Sequence, residues 1–306
     1  MVSPYDGIIL IDKNEDETSF DIVKKIRGIL KVKKVGHAGT LDPFATGLLL
    51  VLVGQGTKLA PYLMPESKKY RATIQLGVET DTQDPTGRII RTMDVPEFES
   101  EYIHNKAMEF IGEIEQVLPI FSAINYKGKR AYDLARKGIK VELKRRTVKI
   151  HYIKIISIDI PNVTVEISCS SGTYIRSLAS DIGKQLGTVA HLKALRRLSS
   201  GPFEVEDGLN SRRIGHTFTD SLEKNIISLR AALPDMKEIQ VDDRMAREIR
   251  NGGQTEWSQI GRGSAISAPF EGFLKLVNNT ELVAILEMQH LGSNDNGWIR
   301  TRRIFH

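Results

Sequence analysis

The chain has one cysteine, Cys169, among its 306 residues. That excludes an internal disulfide and any cysteine-rich zinc site. Long hydrophobic runs are also missing. The longest, from Gly47 to Gly54, is strand-sized and far too short to span a bilayer. Met1 to Asp12 is too acidic, and its apolar stretch too short, for a secretory signal. A cytoplasmic protein is the expectation. The seven histidines show no paired ligand spacing, so no metal is expected. Gly54-Gln55-Gly56-Thr57-Lys58 has too few residues for a phosphate-binding P-loop and lacks the following Ser or Thr. No internal repeat or low-complexity tract is present.

What remains is a composition of 41% hydrophobic and 26% charged residues, that of a globular protein. The length suits a large domain plus a small one. A net charge of +5 leans toward nucleic acid, and its distribution says more. Residues 236–306 carry nine Lys/Arg and nine Asp/Glu, so the whole excess lies in residues 1–235. One cationic run holds Lys24, Lys25, Arg27, Lys31, Lys33 and Lys34. A second extends from Lys127 to Lys149, with Tyr126 and Tyr132 close by. Either run alone fits a solvated face. Two of them flanking glycine-rich loops fit a groove that tracks phosphates.

Tyr5–Asp12 predicts a strand. Thr18 or Ser19 can cap a helix with Phe20, Val23, Ile26 and Ile29 or Leu30 on one face. Leu48–Val53 predicts a buried strand, Tyr70–Val78 an alternating strand, and Glu101–Glu113 an amphipathic helix. Val163–Cys169 alternates, Gly172 interrupts, and Tyr174–Leu186 has helical spacing. The mixture lacks a βαβ rhythm, so the expected fold is α+β with a largely antiparallel sheet. After Pro234, short apolar runs broken by Gly and Asn predict a small β-rich domain. The expected division is 1–235 and 236–306.

The segment GHAGTLDPFATG, residues 36–47, is thin-backboned, and Asp42-Pro43 forms a turn that can hold a carboxylate outward. Taken alone, Asp42 fits a turn residue and His37 a structural histidine. KKYRATIQLG (68–77) puts Tyr70 at a strand entrance behind two lysines. CSSGTYIRSLASDIG (169–183) puts Tyr174 and Arg176 at a strand-to-helix junction, where the arginine can grip a carboxylate bidentately. AHLKALRRLSSGPF (190–203) offers Leu195, Arg196 and Arg197. Their bland readings are a core tyrosine, a surface ion pair and a basic helix end.

With TKLAPYL, TDTQDPTG and PIFSAINYKGKRAYDLARKGI, these segments, in this order, resemble the TruB family of transfer RNA pseudouridine synthases. The resemblance covers most of residues 6–205. The tail resembles the PUA-like RNA-binding domain of many bacterial members. One departure is visible: the family's Lys-Pro-x-Gly-x-Thr-Ser appears as KNEDETS, residues 13–19, with Asn14 and Asp16 in the Pro and Gly positions.

The resemblance implies that Asp42 is the catalytic aspartate, Tyr70 the tyrosine that stacks on the target base, and Arg176 the aspartate's partner. It implies that His37 supports the rearranged RNA, that Leu195 lies beside the pocket, and that Asp84 and Tyr174 are further substrate-pocket residues. The implied reaction converts uridine 55 in the T-loop of tRNA to pseudouridine. The glycosidic bond breaks, uracil turns, and a C–C bond forms to the same sugar carbon. Nothing is oxidised or added, so neither cofactor nor metal is needed. The base must leave its stack. Asp42 then acts as nucleophile on sugar or base, or removes a sugar proton. Arg176 is expected to lower its pKa. The implied partner is the T-arm or elbow of tRNA, with no membrane and a monomeric enzyme. Two other readings share these segments: a guide-RNA-dependent synthase of the dyskerin type, and a non-catalytic chaperone that refolds the tRNA elbow.

Overall fold

The computed structural model describes residues 5–117, 119, 125–126, 129–130, 145–215, 219–253, 260, 271–289 and 298–306. The strands are β1 (Gly7–Lys13), β2 (Val35–His37), β3 (Thr46–Val53), β4 (Lys68–Leu76), β5 (Val78–Thr80), β6 (Ile89–Thr92), β7 (Gly112–Val117), β8 (Asn125–Tyr126), β9 (Lys129–Arg130) and β10 (Arg145–Asp159). They continue as β11 (Asn162–Cys169), β12 (Ala190–Ser200), β13 (Phe203–Glu204), β14 (Leu209–Asn210), β15 (Ile227–Ser228), β16 (Lys237–Gln240), β17 (Gly272–Asn278), β18 (Glu281–Gln289) and β19 (Trp298–Ile304). The helices are α1 (Ser19–Leu30), α2 (Ala60–Leu63), α3 (Ser100–Met108), α4 (Ile175–Gln185), α5 (Thr219–Lys224) and α6 (Asp243–Arg250).

The large sheet runs β14-β1-β3-β12-β4-β11-β10-β7, with β2, β13 and β15 pairing beside this path. Only β1 with β14 and β3 with β12 pair in parallel, so the expected mixed, largely antiparallel sheet is what forms. A second sheet, β16-β17-β18-β19, follows.

The apolar run of β3 is buried along almost its whole length because both faces of the sheet are covered. Ile9 and Ile11 of β1 and Leu49, Val51 and Val53 of β3 join α1 and α4 in one core. Ile8, Leu10, Leu48, Leu50 and Leu52 face the other way, against Leu282, Ile285 and Phe305 of the second sheet's segment. Each such side chain contributes about 1.5–3 kcal/mol when fully buried. A third cluster, including Ile249 of α6, Leu274 and Leu286, lies within the second sheet's own layer.

Thr18 and Asp21 form a capping box at the start of α1. The buried stripe is Ile22, Val23, Ile26 and Leu30. Phe20, expected on that face, is exposed with Lys24 over its ring, because two residues back from Ile22 is the opposite side of a helix. The helix expected over Glu101–Glu113 stops at Met108. Gly112 takes φ 109, and the alternation that follows pairs β7 with β10. Leu195–Arg197 are not a helix end; they lie mid-strand in β12, between β3 and β4. Among the described residues no helix is long and apolar enough to cross a membrane.

Candidate active site

Asp42 sits where the loop from β2 turns into β3. Three hydrogen bonds to its carbonyls hold that turn. Ala45 N donates to the Asp42 carbonyl at 3.0 Å, and the Pro43 carbonyl accepts from Asp16 N and Lys13 Nζ, both at 3.1 Å. On the other side, Leu41 N donates to Ser19 Oγ at 2.9 Å, and that hydroxyl lies 3.2 Å from the Leu41 carbonyl. The segment KNEDETS therefore braces the Asp42 loop. Asp16 adopts the left-handed conformation, φ 66, that a glycine would suit, and Asp is among the residues that tolerate it.

Lys13 is fully buried, with Nζ donating to the carbonyls of Asn14 (2.8 Å), Glu17 (2.7 Å) and Pro43. Burial lowers its pKa to about 8 despite the nearby carboxylates of Glu17 and Asp42. Sequence reasoning missed Lys13 and Ser19. Their signal was the KNEDETS segment itself, read only as a departure from a pattern.

The loop's other end depends on Gly47. Its φ is 100, and a Cβ there would stand 2.2 Å from the Arg197 carbonyl of β12. Arg197 is itself buried. Its Nε donates to the Leu48 carbonyl (2.6 Å) and its Nη2 to the Gly39 carbonyl (3.2 Å), so it links β12 to both ends of the Asp42 loop. Arg197 pairs in register with Tyr70 of β4, and its charge acts to lower the Tyr70 hydroxyl pKa against burial. This role was also missed.

Arg176 enters from the first turn of α4, at the expected strand-to-helix junction. Tyr174 caps that helix, and its backbone is gripped by a buried glutamine: Tyr174 N donates to Gln116 Oε1 (3.0 Å), and Gln116 Nε2 donates to the Tyr174 carbonyl (3.2 Å). Rather than one carboxylate, Arg176 engages two. Its Nε lies 3.1 Å from Asp42 Oδ2 and its Nη1 3.0 Å from Asp84 Oδ2, bridging the two. Asp84 is buried in the turn after β5. Its Oδ1 accepts from Thr82 Oγ1 and Thr86 Oγ1, both at 2.6 Å, and from Thr86 N at 3.0 Å. The pair Arg176–Asp84 is nearly dry, whereas 34% of the Asp42 side chain remains exposed. Asp84 thus fixes the guanidinium, and the guanidinium aims the carboxylate that still meets solvent.

Arg176 pulls the Asp42 pKa down as expected, but the net shift is upward. Burial raises it, Arg176 and Lys13 offset only part of the rise, and Asp84 adds to it. Its partial exposure keeps water in reach of the carboxylate.

Tyr70 and Leu195 are on adjacent strands, both in the core that reaches the loop, with Tyr70 only 9% exposed. Tyr70 is close enough for the Asp42 charge to act on its hydroxyl, whose pKa burial raises. His37 is on β2 opposite Val51, where burial and then Arg197 lower its pKa, and among the described residues its buried Nδ1 has no partner. No hydrogen bond joins it to Asp42 among the described residues. Asp42, Arg176 and Asp84 are therefore in direct contact, Tyr70 and Leu195 share the core that reaches their loop, and no contact between His37 or the Tyr174 side chain and these three is found among the described residues. Among the described residues no group of three His, Cys, Asp or Glu could hold a metal. From the second cationic run, Arg145, Arg146 and Lys149 project from β10, with the Arg146 guanidinium over Gly172. Lys129 and Arg130 form β9, but their side chains and that of Tyr126 lie outside what is described, as do the rest of that run and Tyr132.

A largely antiparallel sheet with an arginine-held aspartate on a loop beside its central strands is the architecture of a pseudouridine synthase. The family model described as the TruB family pseudouridylate synthase N-terminal domain matches residues 27–175, and that of the tRNA pseudouridylate synthase B C-terminal domain matches residues 176–237. This chain belongs to the TruB family. It is 39% identical to tRNA pseudouridine synthase B of Geobacter sulfurreducens, over 98% of this chain and 100% of that one. It is 34% identical to the protein of that name from Francisella tularensis subsp. novicida, over 98% of this chain and 94% of that one. Among solved structures it is similar to the crystal structure of a Cbf5-Nop10-Gar1 complex. The TM-score is 0.76 and the identity 26%, covering 99% of this chain and 86% of that one.

Proposed function

We propose that this chain is a stand-alone tRNA pseudouridine synthase that isomerises uridine 55 of the T-loop, with Asp42 as the reacting carboxylate. The observation that carries the reading is the Asp42–Arg176–Asp84 bridge. It presents one part-exposed carboxylate in a fixed orientation, backed by a second that is sequestered. Likeness over the whole chain to proteins named tRNA pseudouridine synthase B supports the substrate class.

The target base leaves its stack and enters beside Asp42. Tyr70 stacks on it, Leu195 supplies apolar wall, His37 supports the displaced RNA, and Tyr174 closes the pocket beside Arg176. Asp42 acts ionised, on the sugar or base as nucleophile or on a sugar proton as base. Arg176 holds that ionised form against the burial that opposes it. The uracil turns within the pocket, kept from water, and rejoins through carbon. No metal or cofactor takes part. The sheet β16–β19 belongs to a PUA-like RNA-binding domain spanning residues 236–306. The enzyme works as a monomer in the cytoplasm on the T-arm of tRNA.

A second reading has its own observation. The solved Cbf5-Nop10-Gar1 complex shares the fold at a TM-score of 0.76, and an H/ACA RNP bound to a substrate RNA shares it at 0.73. Guide dependence would follow that likeness. The relatives of higher identity favour independence from a guide.

Asp42→Asn tests the assignment. The amide keeps the shape and cannot act as nucleophile or base, so turnover should fall on the order of a thousandfold or more. RNA affinity should stay within a few-fold. A near wild-type rate by the variant removes Asp42 from the chemistry.

A further inference from the structure

A second concentration of charge lies at the opposite end of β3. Lys33 and Lys34, just ahead of β2, and Lys58, in the 3-10 turn after β3, line a cavity of about 310 Å³ together with Asp6, Gln55 and Thr57. Lys58 Nζ donates to Gln55 Oε1 (2.9 Å) and to the Ile304 carbonyl of β19 (2.6 Å), neither of them charged. Asp6 is the one carboxylate in the lining. It accepts from Gln55 N (2.8 Å) and Gln55 Nε2 (3.0 Å). Among the described residues, Lys33, Lys34 and Lys58 form no ion pair with a carboxylate.

The second sheet completes this corner. His306 N donates to Gln55 Oε1 at 3.0 Å, Gln55 Nε2 donates back to the His306 carbonyl, and Phe305 is buried under the Lys58 ammonium. Arg303 is near enough that, after burial, its charge and that of Lys34 pull the Lys58 pKa below the usual lysine range, with Asp6 opposing. Like charges drawn round one concavity are repulsive unless an anion shares it. β3 has eight residues, so the cavity stands roughly 25 Å from the Asp42 end of the strand. That is too far for the phosphates adjoining the reacting uridine.

We propose that this cavity binds a backbone phosphate of the substrate RNA remote from the reacting uridine, so that both sheets grip one RNA molecule. The proposal rests on the reading of the chain as a tRNA-modifying enzyme. Inorganic phosphate has the same chemistry, and the test separates the two sources.

Lys34→Gln is the informative variant, because Lys34 has no side-chain partner among the described residues and its loss leaves the fold intact. Affinity of the full chain for an unmodified full-length tRNA transcript is measured across a salt series. Lys34→Gln should bind on the order of fivefold more weakly at low salt, and its plot of log K against log[salt] should be flatter by about one unit. Arg303→Gln should flatten it as well. In parallel, inorganic phosphate is titrated calorimetrically into the RNA-free protein. A slope unchanged by Lys34→Gln overturns the proposal, and phosphate binding lost in that same variant would reassign the cavity to a free anion. A flatter slope for Lys34→Gln with none for Arg303→Gln overturns the two-sheet grip. Wild-type protein that neither binds nor converts the transcript overturns the enzymatic reading itself, whatever Lys34 does.

Discussion

The two ends of β3 handle charge in opposite ways. At the Thr46 end, Asp42, Arg176 and Asp84 answer one another, and Lys13 is enclosed by three carbonyls. At the Val53 end, three lysines line a cavity with one carboxylate. The first arrangement is finished before any ligand arrives, as chemistry on a flipped base requires. The second has cationic capacity left over, which suits a polyanion held by its backbone. Positions at the first end should therefore control rate or folding, and those at the second should control affinity and its dependence on salt.

Arg176→Met should have the largest effect on stability. It leaves Asp84 buried without its counter-charge, a loss of about 3–5 kcal/mol that chemical denaturation would register. Adding Asp84→Asn should recover part of it. If Arg176→Met alone is as stable as wild type, the bridge is not the rigid element described. Tyr70 comes next. Tyr70→Ala should lose about 1–3 kcal/mol of RNA binding, whereas Tyr70→Phe should bind normally, because stacking needs the ring and not the hydroxyl. Equal behaviour of the two would leave Tyr70 as core, which its low exposure in the RNA-free protein also fits.

The pH profile sharpens the contrast. A carboxyl whose pKa is raised in the folded protein holds its proton to higher pH than a free aspartate. Activity that needs Asp42 ionised should fall on acidification at a pH above the ordinary aspartate range. The same shift means that ionising Asp42 costs stability as pH rises from the unfolded to the folded pKa. An acid limb at or below the free aspartate value contradicts the assignment.

Much of the Asp42 end was legible in the sequence because its signals are local. The GHAGTLDPFATG loop, the alternation of β11 and the junction before Arg176 each lie within a few residues. Contacts between distant segments were not legible. Nothing near Asp84 says that Arg176 lies against it, and nothing near Lys13 says that its ammonium lies under Pro43. The buried run of β3 marked a strand but could not show that its second face is covered by residues beyond 280. The net direction of the Asp42 pKa was not legible for a related reason: the arginine that lowers it is visible as a charge, whereas the burial that outweighs it depends on the whole fold. Phe20 was misplaced because apolar character outweighed helical phase.

The smallest effects belong to single surface cations. Lys33→Gln should flatten the salt slope by about one unit, Arg146→Gln should do so to a similar or lesser degree, and Arg300→Gln, on the small sheet, least of all. Unchanged slopes for both Lys33→Gln and Arg146→Gln would make the two runs solubilising surface.

The most direct test of the central claim is to mix the purified chain with an unmodified T-arm hairpin, with no other RNA or protein present, and assay for pseudouridine. Conversion of one uridine per hairpin by wild type, lost in Asp42→Asn, is the predicted result. Conversion that requires an added guide RNA, or tight binding without any conversion, would contradict it.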